Sequence, residues 1–149
     1  MFSRMYVPPG NISVDLLFQG DVFPSYPFLS DDTSRSIILI SQTCDAQRRE
    51  NILVAPIFTF SEMEGRGVKP DTLKDVRLRR INYWFYLPPL DGVLEESLVD
   101  LQQIKFSSRI DIDNRKSTKI ITLNDWGRHH LAWSISNFFG RPTLDPIAC

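Results

Sequence analysis

Two apolar runs decide the fold: RSIILIS at residues 35–41 and ILVAPIFTF at residues 52–60. Uninterrupted isoleucine, leucine and valine over four or more residues is typical of a strand buried on both faces. Pro56 lies inside the second run and predicts an edge position or a β-bulge there, because proline cannot donate to a ladder. The two runs and the polar segment between them therefore predict neighbouring strands of a β-rich domain.

Shorter runs on either side extend the same pattern. A first strand is predicted to start near Gly20 and to be interrupted by Pro24 and Pro27. Later residues predict a short helix at 70–77, an aromatic strand at 79–87 and a short strand at 119–121. The strands predicted to share one highly curved sheet are residues 37–40, 52–57, 83–87 and 98–104.

The clearest predicted helix lies near the end of the chain. Thr122 followed by Asp125 resembles a capping box, and Gly140 and Pro142 predict where the helix stops. Its apolar residues repeat at helical spacing and share one face: Leu131, Ile135, Phe138 and Phe139. About five strands and one helix without βαβ alternation predict a mostly β, small barrel closed by a C-terminal helix. We expect a single domain over residues 1–149, with its core at about 20–139.

Composition excludes some classes of protein. The net charge of −1 over 149 residues is not that of a strongly basic nucleic-acid binder, so any such contact needs a local basic patch. No apolar run approaches the roughly 20 residues of a transmembrane helix, and residues 1–10 do not resemble a signal peptide. Two cysteines, Cys44 and Cys149, are few for a disulfide-stapled secreted domain. We therefore expect a cytoplasmic protein with reduced thiols and no membrane association.

Several segments together resemble the MazF/PemK family of toxins. These segments are GDV at residues 20–22, Arg35 directly before the buried strand, VAPI at residues 54–57 and SLVDLQQI at residues 97–104. Their order and spacing are similar to those of the family over roughly residues 20–139. The resemblance implies a Src-homology-3-like barrel, usually a homodimer, that cleaves single-stranded RNA without a metal or cofactor. It also implies a toxin–antitoxin setting, bacterial or phage, with an antitoxin as a protein partner.

The resemblance assigns catalytic roles to two positions. Arg35 matches the arginine that binds the scissile phosphate, and its guanidinium would stabilise charge on the phosphorane. The threonine position falls on Phe58, with Thr59 one residue further, on the opposite face of a regular strand. Either a bulge near Pro56 restores Thr59, or the catalytic hydroxyl is missing. The alternative for Arg35 is a surface ion pair with Asp31 or Asp32.

The string SQTCD at residues 41–45 is a second candidate site, because loops that follow buried strands often carry function. Cys44 and Asp45 are candidate catalytic residues, and Ser41 and Thr43 are candidate substrate-binding residues. A cysteine nucleophile needs a nearby base or cation to lower its pKa. The alternative is that Cys44 is a small buried residue and Asp45 starts an Asx-turn.

Basic residues beside aromatic ones suggest a surface for single-stranded nucleic acid. Arg79 and Arg80 precede the aromatic run YWFY at residues 83–86, and Arg48 lies in a separate polar segment. Cations neutralise phosphates and aromatic rings stack on bases, although strand alternation turns about half of such rings into the core. His129 and His130 are adjacent on the final helix, so at most one faces the barrel. Cysteine and histidine spacing predicts no metal site.

Two functions from different classes remain open. The first is a metal-independent endoribonuclease. The second is a barrel without cleavage that binds a protein or nucleic-acid partner. The side chain that faces Arg35 separates them: Thr59 would favour catalysis and Phe58 would favour binding.

Overall fold

The computed structural model describes residues 4–28 and 34–140. Over this part of the chain, seven strands form one curled, antiparallel half-barrel, which confirms the mostly β class. The strands are β1 (Asp21–Pro27), β2 (Ser34–Leu39), β3 (Asn51–Thr59), β4 (Trp84–Leu87), β5 (Ser97–Asp100), β6 (Lys105–Ser108) and β7 (Ile121–Thr122). The helices are α1 (Thr43–Arg48), α2 (Phe60–Gly65), α3 (Pro70–Arg77), α4 (Arg109–Asp113) and α5 (Asp125–Phe139).

Strand β3 organises the sheet, whose order is β4-β5-β3-β2-β1-β7 with β6 also paired to β3. Residues 51–54 of β3 pair with β6 and residues 57–59 pair with β5. Pro56 pairs with Ile37 of β2 and lies between those two stretches, where β3 has a partner on one side only. A residue without an N–H is tolerated at such a gap. The expected edge position at Pro56 therefore holds locally, within a strand that is central elsewhere, and its pairing with β2 shows no bulge there.

The bulge occurs in β1 instead. This strand passes through Pro24 and ends at Pro27, and its pairing with β2 is irregular between Phe23 and Tyr26. Ser25, inside the irregularity, has a φ of 52°, which is the local kink of a bulged strand. The expected interruption by the prolines is therefore a bend within a continuous strand.

Helix α5 closes the half-barrel as predicted. Leu131 and Ile135 are buried, and Phe138 packs against the same core cluster. Phe139 is exposed, because successive helical residues point about 100° apart and it follows Phe138. The N-cap is Asn124 rather than Thr122, and its Oδ1 accepts a hydrogen bond from the Gly127 N–H at 2.9 Å.

Other element boundaries differ from expectation. The predicted helix at 70–77 matches α3, whereas the predicted strand at 98–104 ends at Asp100 and continues as a 3-10 turn, Leu101–Gln103. Strand β6 was not predicted, and α1 and α2 occupy segments that were expected to be loops. Gly140 ends α5 with a φ of 75°, and Pro142 lies outside the described residues.

The helices cover different parts of the sheet. Ala46 of α1 and Ile112 of α4 pack with Phe23, Ile37 and Leu39. Helices α2 and α3 instead pack their apolar side chains into one cluster with Phe58 of β3 and Leu98 of β5. In residues 4–28 and 34–140, no helix has the length and apolar character needed to cross a bilayer.

Candidate functional site

Arg35 is held by a carboxylate from the helix that follows β3. Its Nη1 and Nη2 donate to Oε1 and Oε2 of Glu62 at 2.8 and 2.7 Å, and Nη1 also donates to the Ile57 carbonyl at 3.2 Å. The Arg35 side chain is only 10% exposed, whereas the Glu62 side chain is 31% exposed. Two parallel bonds between a guanidinium and a carboxylate form a charge-assisted, bidentate pair. The partner of Arg35 is therefore Glu62, while the expected partners, Asp31 and Asp32, lie outside the described residues.

An aromatic ring and a second cation complete this cluster. The guanidinium carbon of Arg35 lies 4.1 Å from the centroid of the Phe58 ring, and that of Arg66 lies 5.0 Å from it. Arg66 Nη2 also approaches Glu62 Oε2 at 3.4 Å. Cations placed over a ring face are attracted by its quadrupole. Two guanidinium groups thus share one carboxylate and one ring, and the four residues form what we call the Arg35 cluster: Arg35, Phe58, Glu62 and Arg66.

Thr59 does not face Arg35 as a strand residue. The pairing of β3 with β2 and with β5 runs in regular register on both sides of Pro56, so no bulge turns Thr59 over. Phe58 takes the face toward Arg35, and Thr59 is the N-cap of α2, with its Oγ1 accepting from the Glu62 N–H at 3.0 Å. Thr59 is linked to the cluster through the backbone of α2, because its hydroxyl accepts from the Glu62 N–H while Arg35 binds the Glu62 carboxylate.

Glu62 was missed from the sequence, although a signal for it exists. Thr59-Phe60-Ser61-Glu62 has the spacing of a capping box, in which a threonine and a glutamate three residues later mark a helix start. Here the threonine caps α2 as that motif predicts, while the Glu62 carboxylate turns to Arg35. The hydrogen bonds from Arg35 hold the pKa of Glu62 below its usual value, and partial burial opposes that change.

One polar atom of the cluster is left without a bond. Arg35 Nε is buried and has no hydrogen-bond partner within the described part of the chain. A buried donor without a partner costs free energy, so this nitrogen would gain from an additional acceptor. The cluster is therefore a cationic site whose main hydrogen-bond acceptor is the Glu62 carboxylate of α2.

The SQTCD string has a structural role. Ser41 Oγ accepts from the Leu53 N–H at 2.7 Å, and Thr43 Oγ1 accepts from the Gln19 N–H at 3.1 Å. Asp45 forms an ion pair with Arg49 at 3.5 Å, and Arg48 is exposed at the end of α1. The Ser41 and Thr43 bonds therefore join this segment to the backbone of Leu53 and Gln19, and the Asp45 pair stays within α1 and its C-cap.

Cys44 differs from the sequence expectation. It is disulfide-bonded in this structure, so the expected reduced thiol was wrong and its sulfur is no nucleophile there. In residues 4–28 and 34–140, no three histidine, cysteine or acidic side chains converge as a metal site would require.

Arg79 and Arg80 diverge although they are adjacent. Arg80 forms an ion pair with Asp75 at 3.6 Å. Arg79 has a φ of 57°; its Nη2 donates to Met5 Sδ at 3.0 Å, and its guanidinium carbon lies 5.0 Å from the Phe85 ring centroid. Burial lowers the pKa of Arg79, and no carboxylate within the described residues forms an ion pair with it. The two arginines that sequence analysis grouped together are thus electrostatically different.

Both histidines lie on the outer side of α5. Trp133 Nε1 donates to His129 Nε2 at 2.9 Å, and the rings of Trp126 and His130 meet edge-on at 4.7 Å. Burial lowers the pKa of His130, and the positive charge of Arg79 adds to that effect. The contacts of both histidines described above are with tryptophans of α5, and none is with the Arg35 cluster.

Comparison with known proteins gives a fold and no family. No protein-family model matches the chain, and no curated protein matches it significantly. Among solved structures, an endoribonuclease from a mycobacterial species matches with a TM-score of 0.53 and 10% sequence identity, over 85% of this chain and 93% of that one. At this identity the likeness shows the small-barrel fold alone. It agrees with the barrel that the MazF/PemK resemblance implied.

Proposed function

We propose that this chain cleaves single-stranded RNA without a metal, with Arg35 as the cation that receives the scissile phosphate. The observation that carries the proposal is the bidentate pair between the largely buried Arg35 guanidinium and the Glu62 carboxylate. A guanidinium fork fits the two oxygens of a carboxylate and of a phosphate alike. Glu62 therefore occupies the place that a phosphodiester would take.

The chemistry follows from this arrangement. The 2′-oxygen forms a new bond to phosphorus as the bond to the 5′-oxygen breaks, and the 2′-hydroxyl proton passes through solvent to the leaving 5′-oxygen. Negative charge develops on the two non-bridging oxygens during this step. Arg35 and Arg66, which both approach Oε2 of Glu62, would stabilise that charge once the phosphate replaces the carboxylate. The Thr59 hydroxyl accepts from the Glu62 N–H with a lone pair, which leaves its O–H proton for a phosphate oxygen. Donors fixed in advance where charge develops are the largest source of catalysis in such reactions. Cleavage requires Glu62 to leave Arg35, so the described state is the closed one.

A second candidate is a barrel that binds a partner and does not cleave. The observation that favours it is the position of Phe58, whose ring faces Arg35 while Thr59 caps a helix. In this account the Arg35–Glu62 pair is purely structural. The partner would be a protein such as an antitoxin, or a nucleic acid.

The biological setting belongs to the same proposal. We expect a toxin–antitoxin component that acts in the cytoplasm as a homodimer, as the MazF/PemK resemblance implies. Light scattering that shows a monomer at high micromolar concentration would contradict the homodimer. Cys44 is disulfide-bonded in this structure, whereas a cytoplasmic location would keep it reduced, and thiol labelling before lysis measures which form is present in cells.

The test is incubation of the purified chain with mixed single-stranded RNA, with and without a chelator, followed by analysis of the fragment ends. The endoribonuclease predicts cleavage in both conditions, with 2′,3′-cyclic phosphate and 5′-hydroxyl ends. Glu62→Gln, which removes the competing carboxylate charge, should cleave at least as fast as the wild type.

A matched control is Glu96→Gln. Glu96 holds Arg77 in a similar bidentate pair, with both bonds at 2.7 Å, and the Arg77 guanidinium also lies over a ring, that of Phe60. This control should leave the cleavage rate unchanged. If neither the wild type nor Glu62→Gln cuts RNA, the binding module is the correct function.

A further inference from the structure

The exposed face of α5 carries two tryptophans, each held by a histidine. Trp126 and Trp133 are 58% and 54% exposed, which is high for the largest apolar side chain. His130 packs edge-on against Trp126, and His129 accepts a hydrogen bond from Trp133. Because these contacts restrict the rings before any ligand arrives, a ligand that stacks on them loses less conformational entropy.

An arginine without a carboxylate partner lies beside this face. Arg79 bonds to Met5 Sδ, and the Met5 carbonyl accepts from the Asn124 N–H at 2.8 Å, at the start of α5. Its charge is also close enough to lower the pKa of His130. Two neighbouring cations are already paired with carboxylates, Arg80 with Asp75 and Arg128 with Asp125. Within the described residues, Arg79 is therefore a positive charge without a carboxylate partner, and it lies near the His130 ring that packs on Trp126.

We propose that Trp126, Trp133 and Arg79 form a surface that binds single-stranded RNA, with bases stacking on the tryptophans and a phosphate on Arg79. Exposed rings next to an unpaired cation are the two elements that single-stranded nucleic acids need, and charge complementarity selects a polyanion over an apolar partner. The tryptophans are seven residues apart on the helix, which is about 10 Å along its axis, or roughly three stacked-base steps. The surface would therefore hold a short segment of strand outside the Arg35 cluster. This inference rests on the proposed action on RNA and assigns that action a second contact region.

The experiment measures binding separately from cleavage. The probe is a short 2′-O-methyl oligouridine, which lacks the attacking hydroxyl and cannot be cleaved by the proposed chemistry. The chain has three tryptophans, so their fluorescence reports stacking directly. The oligonucleotide should quench this fluorescence, and Trp126→Ala and Trp133→Ala should each weaken its Kd roughly 5- to 150-fold. Phe106→Ala, which removes a ring of β6 that is still more exposed, at 70%, should leave the Kd unchanged.

The charge is tested with adjacent arginines. Arg79→Asn removes the guanidinium while keeping a residue that tolerates a positive φ, whereas Arg80→Asn removes one that is already paired. Arg79→Asn should weaken binding and reduce the slope of log K against log salt by about 0.7, and Arg80→Asn should do neither. Thermal unfolding of each variant verifies that it remains folded.

Two other results would contradict the proposed RNA-binding surface. Oligonucleotide binding that is unchanged in both tryptophan variants places the RNA elsewhere. Loss of dimerisation in Trp126→Ala and Trp133→Ala, with RNA binding intact, identifies a second copy of the chain as the occupant instead. Failure of the cleavage proposal can be distinguished from failure of this surface. In that case the 2′-O-methyl oligonucleotide would still bind and quench the tryptophan fluorescence, while unmodified RNA would remain uncut.

Discussion

Arg35 on β2 and Glu62 on α2 form a bidentate ion pair, although 27 residues separate them. The pair connects the strand that begins the buried run to the helix that Thr59 starts. In this pair the Glu62 carboxylate occupies the donors of the Arg35 guanidinium, which the proposed reaction needs for the phosphate. One residue, Glu62, therefore has an expected effect on both stability and activity.

The first prediction concerns the stability of Glu62→Gln. Removing this charge should lower the free energy of unfolding at neutral pH by roughly 1–2 kcal/mol, since the carboxylate is partly exposed and screened. The pKa of Glu62 is lowered in the folded chain by the Arg35 hydrogen bonds, so the contribution is complete above the ordinary value of 4.5. It is lost as pH falls through the lower folded pKa. Urea unfolding at a series of pH values should thus show the wild type and Glu62→Gln converging in acid.

The control for this titration is Glu64→Gln, an exposed position on the same helix. It should change stability little at any pH. A difference between wild type and Glu62→Gln that stays constant down to strongly acidic pH would contradict the ion pair.

A second prediction concerns the buried pair of Asp21 and Lys119. The two side chains are fully buried with Nζ and Oδ2 2.8 Å apart, and Thr122 Oγ1 donates to Asp21 Oδ1 at 2.9 Å. Burial raises the pKa of Asp21, and the Lys119 ammonium opposes that rise. Lys119→Met leaves a carboxylate buried without its counter-ion, so it should cost about 3–5 kcal/mol in urea unfolding.

Lys116→Met serves as the comparison, because Lys116 pairs with Asp113 at 3.5 Å near the surface. It should cost less than about 1 kcal/mol. Equal effects of the two lysine variants would show that the buried pair does not anchor the segment before β7 to β1.

A third prediction concerns the close approach of α5 to the N-terminal segment. A Cβ on Gly127 would lie 2.5 Å from the Met5 carbonyl oxygen, and backbone has to move to accommodate it. Gly127→Ala should therefore lower the melting temperature, with a loss of about 1–3 kcal/mol from overpacking, despite the better helix propensity of alanine. Gly65→Ala, in a helical position with open space around its Cβ, should be neutral or stabilising. A stabilised Gly127→Ala would contradict the tight contact.

The strands could be predicted from the sequence because their signal is local. The predicted strand at residues 37–40 matches β2 and the one residue after it, and the predicted strand at 52–57 lies within β3. Both were predictable because an uninterrupted β-branched run favours a strand over other secondary structure. The role of Pro56 could not be predicted in the same way. A proline is tolerated at this position because the pairing of β3 with β6 has ended and its pairing with β5 has not yet begun. The position of this gap depends on pairing between segments that are distant in the sequence.

The site shows the same limit. Arg35 could be singled out by its position before a buried strand, but its partner could not, because the segment of Glu62 was expected to be a loop. The capping-box spacing at residues 59–62 is the signal that would have predicted both α2 and the location of Thr59. The tryptophan face of α5 was also missed, since apolar periodicity predicts the buried face of a helix and says nothing about ligands on the other.

The most direct test of the central claim is the RNA cleavage rate of Arg35→Ala. One well-placed charged donor typically contributes about 100- to 1,000-fold to such a rate, so Arg35→Ala should slow cleavage by that factor while remaining folded. Arg35→Lys should recover little, because a point charge does not reproduce the bidentate fork. Arg77→Ala, at the equivalent pair with Glu96, and Cys44→Ser should leave the rate nearly unchanged. Cleavage that survives Arg35→Ala, or that is abolished by Cys44→Ser instead, would contradict the account.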